Sequence, residues 1–131
     1  NNQLKLTNKK ELLQKWITAY NEKLKPALYM GKFRFNNEKD FIQWKNLKLE
    51  KLKTQWGCEA AGNIYTNSLQ PEVLTLYTNQ NKANLIKEFK LLPDPDENVF
   101  IYEKIWNDKQ PLKNVVPPLI AYADLLATGK R

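Results

Sequence analysis

Carboxylates are the residues with most chemistry to offer. Asp94, Asp96 and Glu97 crowd one short stretch, Pro93-Asp94-Pro95-Asp96-Glu97-Asn98, where they could hold a hard cation. The calcium-loop arrangement is not met, because the glycine and the bidentate Glu that it needs do not follow at the right positions. Prolines alternating with short polar side chains make an exposed turn the more ordinary reading. A second pattern is the Mg²⁺ site of restriction-type nucleases, where an Asp and a Glu-x-Lys on neighbouring strands converge on one phosphate. Pro93-Asp94 imitates its first half. Glu103-Lys104-Ile105 fails the second, since adjacent residues on a strand point to opposite faces. Glu88-Phe89-Lys90 has the spacing, but on a helix residues two apart diverge by about 200°. A Mg²⁺-dependent nuclease using Asp94 and Glu103, or Glu59, is therefore the alternative reading and not the leading one.

Other nucleophiles lack a means of activation. The chain has no histidine, which removes the commonest general base and the commonest metal ligand. With a single cysteine besides, a zinc site is not expected. Cys58, before Glu59 at a helix start, could have a lowered pKa, but a buried structural thiol is the favoured reading. Ser68 and the threonines have no partner to activate them. No catalytic residue, metal or cofactor is expected. One cysteine points to a reducing cytoplasm, and no run approaches the ~18 apolar residues of a membrane span.

Charge is the remaining signal. The 131 residues carry a net +7, and residues 1–53 hold 13 Lys+Arg against 5 Asp+Glu. Such asymmetry can mark a surface for phosphate backbones or another acidic partner. If DNA is touched, Lys32, Arg34, Lys39, Lys45, Lys48, Lys51 and Lys53 are the expected phosphate neighbours. The plainer reading is solvated lysine on helix faces. It is favoured because Lys outnumbers Arg and no glycine-rich phosphate loop accompanies the charge.

These residues need elements to place them. Asn8 with Glu11 has the form of a capping box, and Leu12, Leu13, Trp16, Ile17, Tyr20 and Leu24 follow at helical spacing up to Pro26. Leu28–Phe35 ends in alternation, with Phe33 and Phe35 on one face and Lys32 and Arg34 on the other, as in a half-buried strand. Asp40–Leu52 reads as a second amphipathic helix. After Trp56 and Gly57, the small residues Cys58, Ala60, Ala61 and Gly62 open a helix able to approach its neighbours closely. Glu59 lies in its first turn, where a carboxylate suits the dipole. Val73–Thr78 is a short strand beyond Pro71, and Lys82–Leu91 a helix. Val99–Trp106 is another strand, and Val115-Val116 adds a short one. Pro117-Pro118 opens a last helix that Gly129 closes, apolar nearly all round and so buried or at a subunit interface. The expected fold is a single α/β or α+β domain over residues 1–131, with a mixed sheet of about three to four strands and about five helices.

Two segments, Trp56–Thr78 (WGCEAAGNIYTNSLQPEVLTLYT) and Val115–Arg131 (VVPPLIAYADLLATGKR), resemble the bacterial AbiEi-type antitoxins and transcriptional regulators of type IV toxin–antitoxin systems. Trp56, Gly57, Glu59, Ala61, Pro71, Glu72, Pro117, Pro118, Tyr122, Ala123, Asp124 and Leu125 carry the match, and Cys58 stands where that family has glycine. The resemblance implies a non-enzymatic regulator encoded beside a toxin, with a core that resembles a degenerate restriction-endonuclease-like fold. It also implies an N-terminal winged helix, which is not evident before residue 8. The expectation is therefore a regulatory domain from a longer regulator, with DNA contact through the basic half and self-association through the C-terminal helix.

Overall fold

Five strands hydrogen-bond into one mixed sheet in the order β2-β3-β5-β1-β4. They are β1 Tyr29–Phe35, β2 Thr54–Gly57, β3 Leu74–Thr78, β4 Leu91–Pro93 and β5 Val99–Glu103. The central pair β3 and β5 is parallel, and every other pairing is antiparallel. The helices are α1 Asn2–Ala19, α2 Lys25–Leu28, α3 Glu38–Ile42, α4 Cys58–Thr66, α5 Lys82–Phe89 and α6 Pro118–Thr128. A computed structural model describes residues 2–50, 53–107 and 114–129. Among the described residues no helix is long and apolar enough to cross a membrane.

Alternation along the two central strands divides the core. Leu74, Leu76, Val99 and Ile101 point to one face, where Phe33, Phe35, Trp44, Leu85, Phe89 and Leu91 meet them. Tyr77 points to the other, against Ile17, Tyr20, Val115, Val116, Ile120, Ala121 and Ala123. Helix α4 serves both faces, with Ala60 in the first cluster and Ala61 in the second. Gly62 explains how it gets so close: a Cβ there would lie 3.2 Å from Leu125 on α6 and 3.1 Å from Leu69.

The α/β class is as expected, with two more strands than the lower expectation. β2 escaped notice because all four of its residues are buried, so it shows no alternation. β4 is three residues long and ends in Pro93 at the sheet edge, where its missing N–H costs no ladder bond. Val115 joins β2 through a parallel bridge to Trp56. The Trp56 amide donates to the Asn114 carbonyl at 2.8 Å, and the Val116 amide donates to Trp56 at 2.9 Å.

Two helical expectations are corrected. Asp40–Leu52 is not one helix. Helix α3 ends at Ile42, a 3₁₀ turn covers Trp44–Asn46, and the chain then runs extended. Leu47-Lys48-Leu49-Glu50 in fact alternates partly buried with exposed, a period of two that the surrounding lysines disguise. The first helix also starts before Asn8 and does not stop at Pro26. A π-helical turn, Tyr20–Leu24, intervenes, and the Lys25 amide donates to the Tyr20 carbonyl five residues back. The one-residue widening places Pro26 in the first turn of α2, where proline is tolerated.

Gly57 is required for space and not for its backbone angles, which are extended. A Cβ there would sit 2.6 Å from the Tyr77 ring. Gly57→Ala is expected to destabilise the fold by about 1–3 kcal/mol through overpacking, read as a lower urea midpoint at unchanged slope.

Candidate functional site

The basic residues fall on two sides of the sheet. Phe33 and Phe35 pack into the first core cluster, so Arg34 between them and Lys32 before them face the other way. Lys32 Nζ lies 4.8 Å from the centre of the Phe100 ring, and Arg34 Nε lies 3.3 Å from Asp94 Oδ2. Lys39, Lys45 and Lys48 belong to the segment that covers the Phe33/Phe35 face through Trp44 and Leu47, and all three are exposed. Among the described residues none of these three is within 4.0 Å of a carboxylate. Lys53 precedes β2 and pairs with Glu50 at 3.2 Å. Lys51 lies outside the described residues. The structure thus gathers Lys39, Lys45 and Lys48 on one segment and sets Lys32 and Arg34 apart from them.

The carboxylates weighed for metal chemistry are dispersed and engaged. Glu59 is buried at the start of α4, where Oε1 accepts from the backbone amides of Glu72 at 2.8 Å and Val73 at 3.1 Å. Its function in the fold is to fix the approach to β3. Asp94 holds Arg34 and accepts from the Asp96 amide at 3.0 Å, closing the turn. Glu103 is exposed at the end of β5. The Asp94 amide donates to Lys32, whose register partner is Phe100, so Asp94 and Glu103 are two strands apart and offset by three residues. That is roughly 10 Å across the sheet and roughly 10 Å along it. Among the described residues no group of three potential metal ligands forms.

A concentrated polar centre lies inside. Asp124 is fully buried on α6. Its Oδ1 accepts from Lys25 Nζ at 2.9 Å and from the Tyr77 hydroxyl at 2.9 Å, and its Oδ2 accepts from the Cys58 amide at 3.3 Å. Tyr77 has one proton and gives it to the carboxylate, so Tyr20 must donate to Tyr77 across 2.9 Å. Elements α2, β3, α4 and α6 and the π turn all converge here. Burial lowers the Lys25 ammonium, but the Asp124 charge and hydrogen bond outweigh it and the net shift is upward. Burial lifts the Asp124 carboxyl, against the pull of Lys25 and the Tyr77 hydroxyl. Burial and the Asp124 charge push the Tyr20 and Tyr77 hydroxyls up and raise the Cys58 thiol to about 11. At neutral pH the thiol and both phenols keep their protons, so the centre holds elements together and offers no nucleophile.

In the sequence Asp124 stands among the residues of the family resemblance with no evident task. A signal was present, since one carboxylate stands in an otherwise apolar helix, and a buried charge needs a partner. What could not be read was that Lys25, distant in sequence by 99 positions, supplies it.

A family model described as "Transcriptional regulator, AbiEi antitoxin, Type IV TA system" matches residues 5–131. No curated protein and no solved structure matches the chain.

Asp124→Asn or Lys25→Met should each cost about 3–5 kcal/mol by stranding the other buried group, while Lys25→Met/Asp124→Leu should cost clearly less than the sum in a double-mutant denaturation cycle. Cys58 sits at φ +49°, a left-handed conformation at the position where glycine is expected. Cys58→Gly should therefore be neutral or stabilising by up to about 1 kcal/mol, and Cys58→Val destabilising by about 2 kcal/mol or more.

Proposed function

We propose that this chain, which belongs to the AbiEi antitoxin family of transcriptional regulators of type IV toxin–antitoxin systems, is a regulatory domain that acts by binding contacts and without turnover. The observation that carries this reading is where its acidic groups go. Glu59 is spent on backbone amides, Asp94 on Arg34 and Asp124 on Lys25 and Tyr77. A Mg²⁺ nuclease would need such groups aimed together at one phosphate.

DNA contact in this reading comes from Lys39, Lys45 and Lys48, exposed on one segment, with Lys53 at its end and Lys51 between. Lys32 and Arg34, across the sheet, lie outside that contact. Self-association is assigned to the outer side of α6, where Leu119 is 43% and Tyr122 52% exposed although the helix is otherwise apolar. The cognate toxin of an antitoxin is the further partner that membership implies.

A salt titration on duplex DNA tests the assignment. Three phosphate contacts predict a slope of about −2.7 for log K against log salt. Lys39→Glu/Lys45→Glu/Lys48→Glu should abolish measurable binding while leaving the thermal transition in place. Binding that ignores salt would refute the lysine assignment. Plasmid cleavage in Mg²⁺ or Mn²⁺ that Asp94→Ala removes would refute action without turnover.

A further inference from the structure

Among the described residues, the apolar stripe of helix α1 is only partly covered by the rest of the domain. Ile17 near its C-terminal end and Tyr20 just past it anchor that end of the stripe in the core. Leu12, by contrast, is 66% exposed, Leu13 40%, and Trp16 and Leu24 each 38%. At 100° per residue, Leu12, Trp16 and Leu13 span an arc of about 100°. Lys9 falls inside that arc, between Trp16 and Leu13, and Lys10 and Lys15 border it on either side. Trp16 stacks on Tyr20 with ring centres 5.2 Å apart, and beside them a 340 Å³ hollow is lined by Trp16, Ala19, Tyr20, Lys23 and Leu24. The acidic residues of this helix lie elsewhere. Glu11 is rotated about 150° from the centre of the arc, and Glu22 lines the groove between α1 and α6.

We propose that this face docks an acidic amphipathic helix of a partner protein. From Leu12 to Leu24 the surface is about 18 Å long, which matches three to four turns of helix. Leu12 and Trp16, four residues apart, give the anchor spacing of helix-on-helix recognition, and the hollow at Trp16 accepts one side chain of the occupant. Charge selects among the possible occupants. A second copy would bring Lys9, Lys10, Lys15 and Lys23 against their own kind. A bilayer would have to bury Lys9 at the middle of the arc and not at its edge. Duplex DNA would reward the lysines but leave Leu12, Leu13 and Leu24 without an apolar counterpart. A helix with leucines on one face and glutamates on both flanks answers both kinds of residue at once. This surface is separate from the lysines of residues 39–53 and from α6.

Two synthetic peptides of about four turns, with leucines at i, i+3, i+4 and i+7, serve as probes of the intact chain. One is flanked by glutamates and the other by lysines. The glutamate peptide should bind at least about tenfold more tightly. Lys9→Glu/Lys23→Glu should reverse that preference, and Leu12→Ser should weaken binding of the glutamate peptide several-fold. All three altered side chains are exposed, so the circular dichroism melt should not change. The proposal is overturned if the peptides bind equally or neither binds, or if the charge reversal has no effect. It is also overturned if Leu12→Ser releases the chain from duplex DNA or from phosphatidylglycerol vesicles, or dissociates a dimer in sedimentation.

Discussion

A carboxylate without access to water has to be answered from within the protein, and Asp124 is answered from three separate elements. The ammonium of Lys25 comes from the segment after the π turn, the Tyr77 hydroxyl from a central strand, and the Cys58 amide from the start of α4. Removing a charge from water costs several kcal/mol, and attraction to one ammonium does not reliably offset it. The additional hydrogen bonds make the arrangement tenable, and each of them fixes an element. The same pairing therefore sets the angle of α6 on the sheet and the place where α1 leaves the domain. Such a centre specifies one arrangement more than it adds stability.

Several residues of the two segments that resemble the family are, in this light, a packing set. Gly57 leaves room for the Tyr77 ring, whose hydroxyl reaches Asp124. Glu59 gathers the amides of Glu72 and Val73, so its distance from Pro71-Glu72 in sequence is a hydrogen-bonding distance in space. Gly62 admits Leu125. Gly129 ends α6 with φ +78° while its amide and the carbonyls of Leu125 and Leu126 close the last turn. Of these positions Gly62 sets the approach of α4 to α6, while Gly57 and Glu59 tie the start of α4 to β3 and to the turn before it.

Much of this could be read from the chain alone, wherever one local pattern settled the outcome. Phe33 and Phe35 gave β1, Leu74 to Thr78 gave β3, and the prolines and glycine bounding 117–129 gave α6. Local pattern failed where non-local contacts decided. Thr54–Gly57 is a strand because β3 lies beside it, not because its residues favour one. Trp44 reaches the sheet from a 3₁₀ turn and Leu47 and Leu49 from the chain beyond it, so helical spacing misled. Leu12, Leu13 and Trp16 form a proper amphipathic stripe, yet only the end with Ile17 and Tyr20 meets the core. Asp124 shows only as a lone charge in an apolar helix and Lys25 as one lysine among many, and folding alone makes them one site.

The two borders of the sheet differ from its interior in a way that constrains assembly. Outside β2, residues 114–116 occupy the backbone groups of Trp56, and β4 offers only three residues ending in an imino acid. An incoming strand from another molecule finds little to zip onto at either margin. Quaternary structure and fibril-like stacking through main-chain ladders are thereby disfavoured together, and assembly falls to side chains on the helical exterior.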